Sequence, residues 1–301
     1  MAASNDNGEQ TEKTSSCRIG GIRLRRKKAA FLCLAVIAAS VALIAQPDTD
    51  GKASKTGGRA VITIYLAGDS TVAAAPRSRA PRAGWGEMLD DWFDDNVMVK
   101  NMAASGRSAK SFVEEGRLSR ILREMKKGDY LFIQFGHNDE KVNDPARYTE
   151  PFTSYQSYLK RYIDGARTKG ATPVLITPVE RRRFSADGRA LNSHGLYPAA
   201  MKALGEREHV PVIDLTAKSR QRFEQLGPEQ TKQLFLWLAP GEHANYPHGI
   251  EDNTHFHKRG AKEIARLVVE GIMELNLPLR RHLIRSPKRE PIRDRLSDET
   301  P

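Results

Sequence analysis

The run VITIYL at residues 61–66 is apolar and largely β-branched, and it stops at Gly68-Asp69-Ser70-Thr71. An unbroken apolar run of this length, closed by turn residues, predicts a strand buried on both faces, as in a parallel sheet covered by helices. Ser70 then stands at the carboxyl end of a strand, the edge where open α/β sheets place their ligands. A serine there suits a turn or a helix cap as readily as a nucleophile, so its role depends on the rest of the chain.

The rest of the chain repeats the pattern. Strands are expected at 97–99, 130–135, 173–177 and 210–215, and helices at 85–93, 118–125, 148–169, 194–208, 216–226 and 258–275. In the first helix, Trp85, Met88, Leu89, Trp92 and Phe93 recur at i, i+3, i+4, i+7 and i+8, one apolar face for packing on the sheet. Residues 235–253 carry no period and read as irregular. Strands alternating with helices specify an α/β fold, a three-layer αβα sandwich on a five-stranded parallel sheet, with one domain at 60–278.

The flanks differ in composition. Residues 1–28 are polar and end in a basic cluster that includes Arg23, Arg25, Arg26, Lys27 and Lys28; residues 29–45 are an apolar run, and 46–59 a polar linker. That order is expected of a signal peptide cut after Ala42, or of an uncleaved membrane anchor; either implies export, to the periplasm or outside the cell. From 279 to 301 Pro and charge dominate, and a disordered basic tail is expected. Both cysteines, Cys17 and Cys33, precede the domain, which therefore has no thiol for a disulfide, a Cys-zinc site or nucleophilic attack. A net charge of +11 raises nucleic acid as a partner. The cations, however, are spread along the chain without a basic stripe interleaved with aromatics, which gives no reason to choose nucleic acid over an acidic polysaccharide.

Three further blocks sit where Ser70 needs them: Gly106 in NMAASGRS after the second strand, Asn138 in GHND after the third, and Asp252-Asn253-Thr254-His255 before the last helix. Acyl transfer requires a nucleophile, a base, a carboxylate that orients the base, and donors for the tetrahedral oxyanion. Asp252 and His255 can share a hydrogen bond that fixes the imidazole tautomer and leaves the other nitrogen for Ser70. The N–H groups of Ser70 and Gly106 and the amide of Asn138 can hold the oxyanion, and Gly106 has no side chain to block a close approach. Gly106 and Asn138 alone also fit ordinary turns; four blocks together at strand ends favour catalysis.

The blocks GDSTVA, NMAASGRS, GHND and DNTH, in this order, resemble those of the SGNH (GDSL-type) hydrolases, a family named for Ser, Gly, Asn and His in separate blocks. Within it the chain is similar to the rhamnogalacturonan acetylesterases, through GWGEML, ASGRSAKSFVEEGR, GDYLFIQFGHNDEK and WLAPGEHANYPHGIEDNTHF. The resemblance implies a flavodoxin-like sheet, Ser70 as nucleophile with Asp252 and His255 completing the triad, and Gly106 and Asn138 as oxyanion donors. It also implies no metal or organic cofactor, and a partner that is an acetylated acidic plant polysaccharide rather than nucleic acid. His257 departs from the pattern, standing where a small polar residue is expected.

Candidate substrate contacts are Trp85, at the start of its helix, His257, and the cations Arg107 and Arg182, which follow strand ends together with Lys141, Arg181 and Arg183. The cations suit pairing with galacturonate carboxylates, against the alternative of a solvated charged loop; for Trp85 the alternative is core packing. His243, His248, Asp252, His255 and His257 cluster in sequence but fit no compact zinc spacing. The other functions open to such a chain are a lipase or thioesterase acting on other acyl groups, and a non-catalytic, surface carbohydrate-binding protein.

Overall fold

A computed structural model describes residues 61–288. The stretches expected as leader, anchor and linker, 1–28, 29–45 and 46–59, lie outside these residues, as does the chain beyond 288.

Five strands, β1 (Ile62–Gly68), β3 (Val97–Asn101), β4 (Tyr130–Gln134), β5 (Thr172–Ile176) and β6 (Val212–Ile213), form one sheet in the order β3-β1-β4-β5-β6. Every pairing in it is parallel, and the order is the flavodoxin-like one. Alternation along β1 sorts its side chains into two cores. Ile64 and Leu66 pack with Phe132, Val174, Ile176 and the buried face of α6 (Lys258–Glu274), while α5 (Leu215–Thr231) adds Phe223. Tyr65 and Ala67 pack on the opposite face, against α1 (Ala109–Glu114), α2 (Arg117–Glu124), α3 (Gln156–Thr168) and α4 (Tyr197–Arg207). Ile264, Val268 and Ile272 of α6 are wholly buried, each contributing about 1.5–3 kcal/mol of apolar transfer. Three layers result, and the turn after β1 emerges where the chain reverses its direction of travel across the sheet.

In three places the backbone departs from the periodicity. Residues 85–93 form two 3-10 turns, Trp85–Glu87 and Asp90–Trp92, rather than one α-helix. The N–H groups of Trp85 and Gly86 are taken by the carbonyls of Thr71 and Val72, and those of Glu87, Met88, Trp92 and Phe93 bond three residues back, to Gly84, Trp85, Leu89 and Asp90, rather than four. The spacing still places Trp85, Leu89 and Phe93 in the core. Residues 235–253 are not irregular throughout: β7 (Phe235–Leu238) and β8 (Ile250–His257) pair antiparallel, and β2 (Arg82–Ala83) joins β8 to give a second sheet in the order β2-β8-β7. β2 and β7 have two and four residues, too few for alternation to show, and in β8 the alternation is broken by an irregularity opposite Phe235 and Leu236. Packing also runs past the expected boundary at 278. Leu279 is buried, Leu283 bridges to Phe93, and the N–H groups of Ile284 and Lys288 reach the carbonyls of Trp92 and Asp91. Apolar Leu277, Leu279 and Leu283 among the charges anchor this stretch.

Candidate active site

β8 is not a regular strand where the chemistry lies. Phe235 pairs with Phe256 and Leu236 with Asp252, so one step along β7 answers four along β8, and residues 253–255 bulge out. The Asp252 carboxylate closes the bulge: Oδ1 accepts the N–H groups of Thr254 and His255 at 2.7 and 2.9 Å, and Oδ2 lies 2.6 Å from His255 Nδ1. Burial pushes the Asp252 pKa up, but the His255 ring and the two N–H groups outweigh it and bring the value down to about 2. An ionised Asp252 holds the Nδ1–H tautomer and presents the Nε2 lone pair to Ser70, whose Oγ is 2.9 Å away.

A buried polar chain supports the Ser70 turn. Asp69 is fully buried, and its Oδ1 accepts both the N–H and the hydroxyl of Thr71 at 2.8 Å. Thr71 Oγ1 accepts from Gln134 Nε2, and Gln134 Oε1 accepts from the indole of Trp85. On the other side, Asp69 Oδ2 faces His137 Nδ1 at 3.3 Å, and burial lowers the His137 pKa to about 4, keeping that ring neutral near pH 7. His137 thus lies between the Ser70 turn and Asn138.

The expected oxyanion donors converge on the same cleft. The N–H groups of Ser70 and Gly106 have no acceptor among the described residues. Gly106 adopts φ +79°, a left-handed backbone that calls for glycine, and a Cβ there would meet no protein heavy atom nearer than 4.0 Å. Asn138 donates one Nδ2–H to the Arg107 carbonyl at 3.1 Å, and its Oδ1 lies 3.5 Å from Arg147 Nη1. This fixes the amide and leaves its second N–H for the cleft. Next to it, Asp139 Oδ1 accepts from Ala109 N–H and Thr149 Oγ1, tying this loop to the start of α1. Burial raises the Asp139 pKa to about 8.

The cleft has a volume of about 480 Å³ and is lined by Ser70, Gly106, Asn138, His255 and four cations, Arg79, Arg82, Lys141 and Arg181, with no carboxylate in its walls. The four residues singled out from the sequence as substrate contacts are not in this lining. Trp85 is 1% exposed, packed beneath the Ser70 turn by its bond to Gln134. Arg107 is held by Glu115 and the Ser105 carbonyl. Arg182 stacks 4.8 Å from the Trp237 ring and donates to Asn253 Oδ1 and the Pro228 carbonyl. The His257 ring accepts the Arg259 N–H at the start of α6. Lys141 and Arg181 do reach the cleft; Arg79 and Arg82 were missed, although the Arg-rich loop after Ser70 was their signal. Among the described residues, no group of His, Cys, Asp or Glu side chains converges as a metal-ligand set.

Residues 64–268 match the family described as GDSL-like Lipase/Acylhydrolase. The chain belongs to this family. The GDSL-like hydrolase is 53% identical over 223 residues to rhamnogalacturonan acetylesterase RhgT of Bacillus subtilis, covering 74% of this chain and 94% of that protein. It is 47% identical over 222 residues to the probable rhamnogalacturonan acetylesterase YesY of the same organism, covering 74% and 97%. Among solved structures, it is similar to B. subtilis YxiM, at 32% identity and a TM-score of 0.63, covering 72% of this chain and 58% of that one.

Proposed function

We propose that this GDSL-like hydrolase is an exported serine esterase that removes O-acetyl groups from rhamnogalacturonan. The observation that carries the reading is Ser70 Oγ at 2.9 Å from His255 Nε2, with Asp252 at 2.6 Å behind it, opening onto a cleft walled by cations. The names of RhgT and YesY support the same substrate. A lipase's apolar acyl channel has no counterpart in walls made of Arg, Lys, Ser, Asn, Thr and His, which suits an acetyl group on a hydrated sugar.

In this mechanism His255 Nε2 takes the Ser70 proton as Oγ attacks the acetyl carbonyl. The oxyanion is received by the N–H groups of Ser70 and Gly106 and the free N–H of Asn138, a set in which one donor is worth about 2.7–4 kcal/mol. Asp252 stabilises the imidazolium. The imidazolium returns its proton to the departing sugar oxygen, and the C–O bond of the ester breaks, leaving acetyl-Ser70. Water deprotonated by His255 then attacks, and acetate leaves as the proton returns to Ser70 Oγ.

The proposed organisation is a leader at 1–45, a linker at 46–59, the hydrolase domain from 60 and a basic tail. Among the described residues no helix is long and apolar enough to cross a membrane. The basic cluster followed by the apolar run 29–45 supports export, with a membrane tether if that run is retained. The test is acetate release from acetylated rhamnogalacturonan, acetylated xylan and p-nitrophenyl acetate by the protein and its Ser70→Ala variant. Release from rhamnogalacturonan that Ser70→Ala abolishes is expected; release from xylan alone would overturn the substrate.

A further inference from the structure

The cleft holds more positive charge than the protein neutralises. Arg181 is paired, its guanidinium bonded to Glu140. Arg79, Arg82 and Lys141 have no carboxylate within ion-pair distance among the described residues. Arg82 is only 9% exposed, and its protein contacts are the Ser70 carbonyl and Ser105 Oγ, both at 3.5 Å. Burial and the neighbouring Arg79 push its pKa down, only partly offset by the Asp252 and Asp69 carboxylates beyond contact distance; burial and Arg147 do the same to Lys141 against Asp144 and Glu140. A largely desolvated guanidinium with no carboxylate in direct contact is costly, and a second cation beside it adds to the cost.

The segment that carries the arginines is braced rather than loose. Glu87 Oε1 accepts the N–H groups of Ala75 and Gly84 at 3.0 and 2.8 Å, and Arg82 pairs across the sheet with His257. From the β7–β8 connection, Asn245 Nδ2 donates to the carbonyls of Arg77 and Ala80, and the Tyr246 hydroxyl donates to that of Arg79. The bracing fixes the backbone from which Arg79 and Arg82 project, and burial holds the Arg82 guanidinium, so that donor loses little freedom when an anion arrives. Lys141 stands on a separate element, the loop after β4, three residues beyond Asn138.

We propose that Arg79, Arg82 and Lys141 form a carboxylate-binding site that reads uronate residues next to the acetylated sugar, so that the charge of the polymer, and not its acetyl group alone, selects it. This rests on the esterase reading above. Arg82 offers its guanidinium beside the nucleophile itself, Arg79 extends that positive wall outward, and Lys141 supplies a point charge from the Asn138 side. The site restrains the chain on which the ester is carried and makes no bond in the reaction.

The experiment compares acetylated rhamnogalacturonan with the same polymer after its carboxyl groups are reduced to alcohols, using the protein and its Arg79→Gln and Lys141→Gln variants. Both side chains are exposed, so the substitutions leave the core intact. The protein is expected to favour the acidic polymer about tenfold or more in kcat/KM. Each variant raises KM on the acidic polymer about fivefold with little change in kcat, and Arg79→Lys recovers part of the loss. Raising NaCl from about 0.05 to about 0.5 M narrows the preference in the same way. Equal rates on the two polymers, or variants that slow both equally, would overturn the carboxylate site and leave the esterase reading standing. Cleavage of p-nitrophenyl acetate with no release from either polymer would overturn the carboxylate site and rhamnogalacturonan as the substrate together, leaving only the serine esterase.

Discussion

His255 and Asp252 face one another at 2.6 Å although they are three residues apart on one strand. In a regular strand, positions i and i+3 point to opposite faces and lie too far apart for this contact. The bulge at 253–255 brings them together, and the Asp252 carboxylate holds the bulge through the N–H groups of Thr254 and His255. One side chain therefore shapes the backbone and sets the tautomer of the base.

Replacing Asp252 with Asn separates those two roles. The oxygen of the new side-chain amide still accepts the two backbone N–H groups, but its nitrogen donates toward His255 Nδ1 and favours the wrong imidazole tautomer. Asp252→Asn is expected to lower kcat about 10⁴-fold with the thermal transition little changed, the loss a triad suffers when its carboxylate becomes an amide. A loss below tenfold, read by acetate release, would show that Asp252 does not orient His255.

Asn138→Ala removes one oxyanion donor and is expected to cost about 10²–10³ in kcat with KM nearly unchanged. Arg147→Ala, which frees Asn138 Oδ1, is expected to cost less, on the order of tenfold, because the Arg107 carbonyl still holds the amide. Full activity in Asn138→Ala would remove it from the oxyanion site.

Arg182 acts through Asn253, inside the bulge. Its guanidinium donates to Asn253 Oδ1 at 3.1 Å, its backbone N–H to the Asn253 carbonyl at 2.8 Å, and the Trp237 indole shares the same Oδ1 at 3.0 Å. Arg182→Ala is expected to lower kcat about tenfold and leave KM on an acidic polymer within about twofold. A rise in KM alone would instead return Arg182 to substrate contact.

Asp139 gives the fold a pH dependence of known sign. Burial holds its folded pKa at about 8, whereas an unfolded carboxyl titrates near 3.9. Between those values the folded state keeps a proton that the unfolded state has lost, so this contribution is fully present below about pH 4 and fades as pH rises through about 8. An Asn side chain at this position preserves the acceptor for Ala109 and Thr149 and cannot ionise. The melting temperature of Asp139→Asn relative to the unsubstituted protein is expected to rise steadily from pH 4 to pH 8. A flat difference across that range would place the titration elsewhere.

The strands and their chemistry were legible in the sequence because both are local. Apolar runs ending in turn residues located the five parallel strands, and Ser70, Gly106 and Asn138 follow three of them by simple adjacency in the chain. Asp252 and His255 were legible as a pair for the same reason, although the bulge that joins them was not. The 3-10 turns at 85–92 were hidden because apolar residues at i, i+3, i+4 and i+7 suit an α-helix equally well, and because the segment is pinned at its start by bonds from Trp85 and Gly86 to the carbonyls of Thr71 and Val72, more than a dozen residues away.

Which cations face the cleft was decided by tertiary structure alone. Arg107 and Arg182 follow strand ends as surely as Lys141 does, but Glu115 captures the first, and Trp237 with Asn253 captures the second. Arg79 and Arg82 face the cleft because β2 pairs with β8 and the β7–β8 connection braces their loop. Periodicity and turn chemistry depend on neighbours in the chain, and the sequence by itself determined the sheet and the order of its reactive ends. The direction of a long charged side chain depends on which distant partner reaches it first, and that is known only once the chain is folded.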